Sequence, residues 1–410
     1  MSSASNEASL AQSAAAHVSN FAAETFVPLP YKPISADSHV TEPPNCYVDF
    51  IEAKYRATAP RVIAGKEGGA IYIVEGMQTT VPIGSMSAAG LNPRTMGRSM
   101  AAGTYETIHR GGFDGAARVA AQDEDGIGGE IVYPTVGMLI CNHPDANYKK
   151  ACMDAYNRWL LEFMGAAPER IFGMGQAAIR SVKEGICELE SLAARGFRGV
   201  MMPGEPCTEF DYDDEAFDPL WEAAVALQLP LSFHILTTKR DTTSFGGEPT
   251  HRGKAKANYQ HGIIRGNQDI ISMFIWGRVF ERFPDLRMVC VEADAGWAPH
   301  FMYRMDHFYS RHRYWSTQND MAKLPSEFFR HNVYLTFQDD YIALKTADLM
   351  NPQRLLWAND FPHVDSTWPW SQGLIARHTA HLPEEQKRWI LRDNVVALYR
   401  LPEAQQAEAA

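Results

Sequence analysis

No run of apolar residues in this chain reaches the roughly 18 to 20 that a bilayer crossing needs. The first 26 residues have neither a basic start nor a continuous apolar core. Neither a membrane span nor an export signal is expected. Cations are in short supply too, 38 Lys and Arg against 49 Asp and Glu, for a formal net charge of −11. Such a surface attracts neither nucleic acid nor an anionic membrane, so neither is expected as a partner. Six cysteines (Cys46, Cys141, Cys152, Cys187, Cys207 and Cys290) are scattered, with no Cys-x-x-Cys and no spacing that reads as a zinc ribbon or a disulfide framework. A reducing cytoplasm is the expected compartment. No repeated period and no low-complexity linker marks a second domain. What is present is ordinary globular usage, 45% hydrophobic and 21% charged over 410 residues, enough to bury a large core without covalent or metal staples.

Residues 1–30 are rich in Ala, Ser and Asn and end in Phe26-Val27-Pro28-Leu29-Pro30. They read as an N-terminal arm, either a frayed tail or a segment laid on a partner subunit. Residues 31–400 form the body, and 401–410 a C-terminal tail. Within 45–120 the rhythm of the body is broken. Arg61-Val62-Ile63-Ala64 and Ala70-Ile71-Tyr72-Ile73-Val74, joined through Gly65-Lys66-Glu67-Gly68-Gly69, predict a β-hairpin. Residues 83–112 read as a Gly-, Ser- and Met-rich loop. An insertion of this kind after a strand is expected to cover a site.

From residue 121 strands and helices alternate. Strands are expected at 129–134, 171–178, 197–202, 229–236, 286–292, 332–337 and 354–359. Helices are expected at 146–165, 182–195 with Gly196 as the stop, 214–227, 259–283, 296–311, a stretch ending at 350, and 383–399. With 34–37 that makes eight strands, which predicts an α/β (β/α)8 barrel before a doubly wound sheet.

Parallel barrels collect their chemistry at the C-terminal ends of strands, so acids and histidines there carry most weight. In Ile34-Ser35-Ala36-Asp37-Ser38-His39 the alternation of side chains puts Asp37 and His39 on one face, and Pro43-Pro44 ends the run. His234 ends the fifth strand, Glu292 the sixth and Asp360 the eighth, with His363 three residues beyond. Each has a plain alternative. His234 reads equally as a hydrogen-bonded core histidine, Asp360 as a helix N-cap, Glu292 as the partner of Arg304, and His363 as a cap of the 361–368 loop. Jointly, acids and histidines at the ends of separate apolar strands call for a cation, because buried unpaired carboxylates are expensive. Imidazoles with carboxylates suit Zn²⁺, Mn²⁺ or Fe²⁺, and the lack of cysteine at strand ends argues against a structural zinc site. Trp297, His300, Tyr303, Trp368 and Trp370 are expected to flank the mouth, Trp297 and His300 being the candidate substrate contacts.

The chain resembles the amidohydrolase-related family of metal-dependent barrel enzymes, the branch with aminocarboxymuconate-semialdehyde and resorcylate decarboxylases. The resemblance spans about 33–400. It is carried by Ala36-Asp37-Ser38-His39-Val40-Thr41-Glu42-Pro43-Pro44, Ile131-Val132-Tyr133-Pro134-Thr135, Phe280-Glu281-Arg282-Phe283-Pro284-Asp285-Leu286, Glu292-Ala293-Asp294-Ala295-Gly296-Trp297 and Asn359-Asp360-Phe361-Pro362-His363. It implies a metal held by Asp37, His39, His234 and Asp360, with Asp37 in place of the first histidine of the family's His-x-His. That exchange hardens the site towards Mn²⁺ or Fe²⁺ over Zn²⁺. Glu292 stands where larger relatives place a histidine, leaving room for a second ion, and Glu42 is either a further ligand or an acceptor for the far nitrogen of His39.

The function these readings imply is metal-dependent hydrolysis or non-oxidative decarboxylation of a small carboxylate, amide or ester, with Asp360 and His363 moving the proton. The Asp-Ser-His-Val-x-Glu-Pro subgroup implies an alternative, a dinuclear iron or manganese oxygenase (hydroxylase) or a thioesterase. A further alternative is a metal-bound subunit supporting a catalytic paralogue. A homo-oligomer or a hetero-oligomer with such a paralogue is the expected assembly.

Overall fold

A computed structural model describes residues 26–65, 68–238, 260–315 and 320–402. Most of the N-terminal arm (1–25) and of the C-terminal tail (403–410) therefore lies outside the described residues, as does the expected start of the 259–283 helix at Tyr259.

Strand β1 (Ile34–His39) is buried throughout. It leads into an antiparallel sheet of β2 (Arg61–Ala64), β3 (Ala70–Ile73) and β4 (Thr80–Pro82), in which β3 pairs with both neighbours. The hairpin is the expected one, and β4 adds a third strand to it. The following strands are β5 (Gly129–Tyr133), β6 (Ile171–Gly173), β7 (Gly175–Gln176), β8 (Val200–Met201), β9 (Leu231–His234), β10 (Met288–Val291), β11 (Val333–Phe337) and β12 (Leu355–Trp357). All their pairings are parallel, in the orders β1-β5-β6 and β12-β11-β10-β9-β8-β7. The predicted strand 171–178 is split, and Met174 N–H, between its halves, bonds Val132 O at 2.8 Å. At the other seam Asn359 N–H bonds Ser35 Oγ (2.9 Å), Asp360 N–H bonds Asp37 O (3.0 Å) and His39 N–H bonds Phe361 O (2.7 Å). Counting β6 and β7 as one strand, eight parallel strands among the described residues close into a (β/α)8 barrel.

The helices sit where strand ends feed them. Ala146–Gly165 matches the predicted bounds, with Asp145 accepting from the N–H groups of Asn147 and Tyr148. Val182–Ala194 ends as expected at Gly196, whose φ of 90° a residue without a Cβ adopts freely. The single helix expected over 259–283 is two pieces, Gln260–Trp276 and Val279–Arg282, because Gly277 is a poor helix former and Arg278 turns left-handed at φ 61°. The loop expected over 83–112 contains a helix, Pro93–Ala102, whose start is signalled by Asn92 capping Arg94 N–H and Pro93 at the first position. Four further helices, Gly115–Asp125, Val136–Ile140, Pro325–Asn332 and Ser371–Thr379, are not among those expected from the sequence. Among the described residues no helix is long and apolar enough to cross a membrane.

Candidate metal centre

Asp37 and His39 lie on one side of β1, as their alternation requires, with His39 Nε2 3.5 Å from Asp37 Oδ1. The same His39 nitrogen stands 3.4 Å from Glu292 Oε2 and 3.5 Å from Asp360 Oδ1. His234 Nε2 stands 3.6 Å from Asp37 Oδ1 and 3.4 Å from Glu292 Oε2. The barrel thus brings five side chains from β1 and the ends of β9, β10 and β12 to one point. Glu292 and Asp360 reach it from left-handed backbone, φ 58° and 53°, a conformation that costs free energy in a residue with a Cβ. Arg304 is not the partner of Glu292, and Asp360 caps no helix.

Hydrogen bonds on the far side of the rings settle which nitrogen faces inward. A carbonyl oxygen can only accept, so His39 Nδ1, 3.2 Å from Pro134 O, carries the ring proton, and so does His234 Nδ1, 3.1 Å from Ile235 O. Both imidazoles therefore present a bare Nε2 to the cluster. Asp37 Oδ1, Glu292 Oε2, both oxygens of Asp360 and the two Nε2 atoms are buried without a hydrogen-bond partner. Lone pairs facing lone pairs are unfavourable unless something positive lies between them.

The electrostatics agree. Burial pushes the Asp37 carboxyl above its usual range. Burial and then the neighbouring Asp37 do the same to Glu292, strongly, and burial, Glu292 and Asp37 do it to Asp360. Burial drives His39 well below the ordinary imidazole value. A divalent ion would relieve all four at once. Donors about 2.1 Å from one ion at tetrahedral angles stand about 3.4 Å apart, which is the spacing found here, so the residues present fit such an ion. A second set of donors, His39, Glu292, Asp360 and His363, is equally compact.

His363 stacks on His39 with ring centroids 3.7 Å apart, its Nδ1 3.5 Å from Asp360 Oδ1. Burial takes its imidazole down to about 3. Glu42, expected as a further ligand or an acceptor for His39, belongs to neither donor set, and the far nitrogen of His39 is taken by Pro134. Instead its Oε1 accepts from Thr135 N–H (3.0 Å) and Gly137 N–H (3.1 Å), because β1 and β5 are neighbours and the turn after β5 folds over Glu42. Burial raises its carboxyl to about 7.

A cavity of about 720 Å³ opens beside the cluster. The insertion supplies Val81, Ser85, Met86 and Met100 to its wall, and the barrel supplies Thr135, Met138, Leu139, Ile235, Leu236, Ile263 and Ile264. Its polar side has Glu292, Asp294, Gln338, Asp339, His363 and Asp365. Burial raises Asp294 to about 7 and lifts Asp365 as well. The expected substrate contacts are not there. Trp297 points its indole N–H at Ala293 O and Asp294 O and packs on Phe301 and Phe329, and His300 is exposed on the next helix. A tryptophan that follows a strand by several residues has already entered the outer layer, where it is core. Of the other aromatics expected at the mouth, Tyr303 is exposed, while Trp368 packs between His109 and Phe361.

Two groups that hold the site escaped the sequence reading. Arg118, fully buried, pairs with Glu130 and donates to His39 O (2.7 Å), Gly111 O (3.2 Å) and Phe361 O (3.2 Å). Nothing in Gly115-Ala116-Ala117-Arg118-Val119-Ala120 marks that arginine as internal. Thr135 closes the Ile131-Val132-Tyr133-Pro134-Thr135 stretch, which gave it no role of its own.

A family model described as an amidohydrolase matches residues 144–401. No curated protein matches the sequence. Among solved structures, an amidohydrolase from Mycobacterium avium subsp. paratuberculosis K-10 is similar with a TM-score of 0.70 at 19% identity, covering 91% of this chain and 100% of that one. A 5-carboxyvanillate decarboxylase from Novosphingobium aromaticivorans, complexed with manganese and 4-hydroxy-3-methoxy-5-nitrobenzoic acid, gives 0.62 at 18%, covering 90% and 96%. The 2,6-dihydroxybenzoate decarboxylase from Rhizobium gives 0.60 at 14%, covering 90% and 99%. At these identities the likeness is one of fold.

Proposed function

From membership of the amidohydrolase family, to which this chain belongs, we propose a metal-dependent enzyme that runs redox-neutral chemistry, decarboxylation or hydrolysis, on a small carboxylate, ester or amide. The observation that carries the reading is the set of unpartnered Asp37, His39, His234, Glu292 and Asp360 donor atoms at 3.4–3.6 Å spacing. Asp37, His39, His234 and Asp360 would hold a divalent transition ion, Mn²⁺, Fe²⁺ or Zn²⁺, with Glu292 beside it. Such an ion supplies Lewis acidity towards a carboxylate, a carbonyl or a water.

The chain's own groups do the rest. The cavity wall has no lysine or arginine among the described residues, so a substrate carboxylate is directed to the donor cluster and not to a side-chain cation. Asp360 accepts and returns a proton at a carboxylate oxygen, and His363 stands next to it on the cavity side. The apolar wall of Met86, Met100, Met138 and Ile264 excludes water from the substrate's body. The decarboxylase neighbours support trying hydroxybenzoate-type acids first.

The test is to load full-length protein with Mn²⁺ and follow CO₂ release from such acids alongside hydrolysis of ester and amide panels. Turnover that a chelator abolishes and Mn²⁺ restores is expected, and turnover indifferent to the chelator overturns the reading. The second donor set, His39, Glu292, Asp360 and His363, supports one other reading, a dinuclear iron or manganese oxygenase or thioesterase. Two ions per chain with substrate-dependent oxygen uptake would establish the oxygenase. We also place the protein in the cytoplasm, supported by six free thiols. An oligomer, of this chain or with a paralogous subunit, is supported by exposed Tyr303, Phe308, Tyr314 and Trp315.

A further inference from the structure

The turn after β5 touches both imidazoles of the cluster's inner face. Pro134 O takes the His39 Nδ1 proton, and the next residue, Thr135, has its hydroxyl 2.8 Å from His363 Nε2. That hydroxyl has one proton and two neighbours. It lies 2.6 Å from Val40 O, an atom that can only accept. If the hydroxyl proton went to His363, two oxygen lone pairs would face each other at 2.6 Å in a buried site. If it goes to Val40 O, Thr135 Oγ1 is free to accept, and His363 Nε2–H makes the second bond. Only the second arrangement gives the Thr135 hydroxyl, Val40 O and His363 Nε2 a partner each. His363 Nδ1 is then bare, and it faces Asp360 Oδ1 at 3.5 Å.

We propose that Thr135 is a positioning residue that fixes His363 as the Nε2–H tautomer, so that the imidazole turns a bare Nδ1 towards Asp360 and the cavity. The inference rests on the proposed reading of the same site and deepens it, since it says which nitrogen His363 presents to the donor cluster. In its resting form His363 has nothing to donate on that side. Glu42 supports the device from behind: its Oε1 holds Thr135 N–H and Gly137 N–H, which keeps the turn in register with both histidines. Without the Thr135 hydroxyl, Nε2–H would lose its acceptor, and the Asp360 carboxylate, 3.5 Å from Nδ1, would draw the ring proton to that side.

The test reads the tautomer directly. Full-length protein carrying ¹⁵N-histidine is dialysed against a chelator, and the ring-nitrogen signals of His363 are assigned by their loss in His363→Gln. Wild type and Thr135→Ser are expected to show Nε2 protonated and Nδ1 bare, and Thr135→Val is expected to move the proton to Nδ1 in most molecules. Nδ1 protonation in the wild type overturns the proposal, as does a Thr135→Val spectrum identical to wild type. If Thr135→Val does not fold, wild type and Thr135→Ser decide, agreement on Nε2–H supporting the proposal and disagreement overturning it. Mn²⁺ uptake by the same samples, measured separately by elemental analysis, reports on the metal reading independently of the tautomer.

Discussion

At the scale of single residues, the site is a set of lone pairs that hydrogen bonding has turned inward. His39 and His234 each spend their ring proton on a backbone carbonyl, which leaves a bare Nε2 facing carboxylates. Replacing either with alanine removes a donor and one side-chain hydrogen bond but leaves the strand pairing of the barrel in place. His39→Ala and His234→Ala are expected to lose most bound metal in elemental analysis while their circular dichroism stays that of wild type. Full occupancy in both variants would sink the assignment. Asp360 is asked for more, because both its oxygens lack partners and it also neighbours His363. Asp360→Asn keeps the shape and removes the basicity, so turnover should fall by about 10²- to 10⁴-fold, the usual effect of losing a general base. Activity within threefold of wild type would exclude that role.

At the scale of elements, the cluster depends on two strand ends that do not pair by ordinary ladder bonds. The seam between β1 and the segment after β12 is closed by His39 N–H on Phe361 O and Asp360 N–H on Asp37 O. Arg118, on the helix Gly115–Asp125, fastens the same seam from below by donating to His39 O and Phe361 O while paired with Glu130. Gln122 and Asn359 also contact Glu130, at 2.9 and 3.4 Å. Arg118→Met would leave Glu130 and three carbonyls buried without their cation. Breaking a buried pair in this way costs about 3–5 kcal/mol. Chemical denaturation should show the transition at markedly lower denaturant, and a midpoint equal to wild type would mean that the network contributes little.

At the scale of the molecule, the charge of the mouth sets how stability varies with pH. Glu42, Asp125 and Asp294 are raised by burial to about 7, and Glu292 and Asp360 well above the carboxylate range. A carboxyl with a raised folded value binds its proton more tightly when folded, so its stabilisation is lost as pH rises from its unfolded value through the folded one. His39 and His363 are shifted the other way, and their contribution is complete above the unfolded imidazole value of 6.5. Above pH 6.5, then, only the carboxyls still act. Metal-free protein should melt at lower temperature at pH 8 than at pH 6.5. An ion in the cluster replaces the protons on Glu292 and Asp360, so Mn²⁺ should flatten the trend and raise the midpoint, the stabilisation being about 2.7 kcal/mol at a hundredfold excess over its Kd. A midpoint of the metal-free protein that climbs between pH 6.5 and 8 would contradict the charge balance drawn here.

What the sequence determined by itself was the alternation. Short apolar runs separated by helical periods are local properties of the chain, so the strand order, the hairpin from Arg61 to Ile73 and the helix Ala146–Gly165 could be read one segment at a time. Asp37, His39, His234, Glu292 and Asp360 were legible because a parallel barrel converts the end of a strand into a place at the mouth, whatever the distance in sequence. The tertiary structure decided everything that depends on which groups meet across that mouth. Glu42 and Thr135 are 93 residues apart, and only the pairing of β1 with β5 puts the carboxylate under the turn. Trp297 and His300 closely follow the strand end that carries Glu292, yet one joins the outer layer and the other faces solvent, because a helix that starts there rotates away from the axis. Arg118 sits in an alanine-rich helix that gives no sign of a buried charge, and its partners, His39, Glu130 and Phe361, come together only when the barrel closes. Hydrogen bonds between segments have no signature in either segment alone, which is why the acids and histidines at the strand ends could be named in advance and the groups that aim them could not.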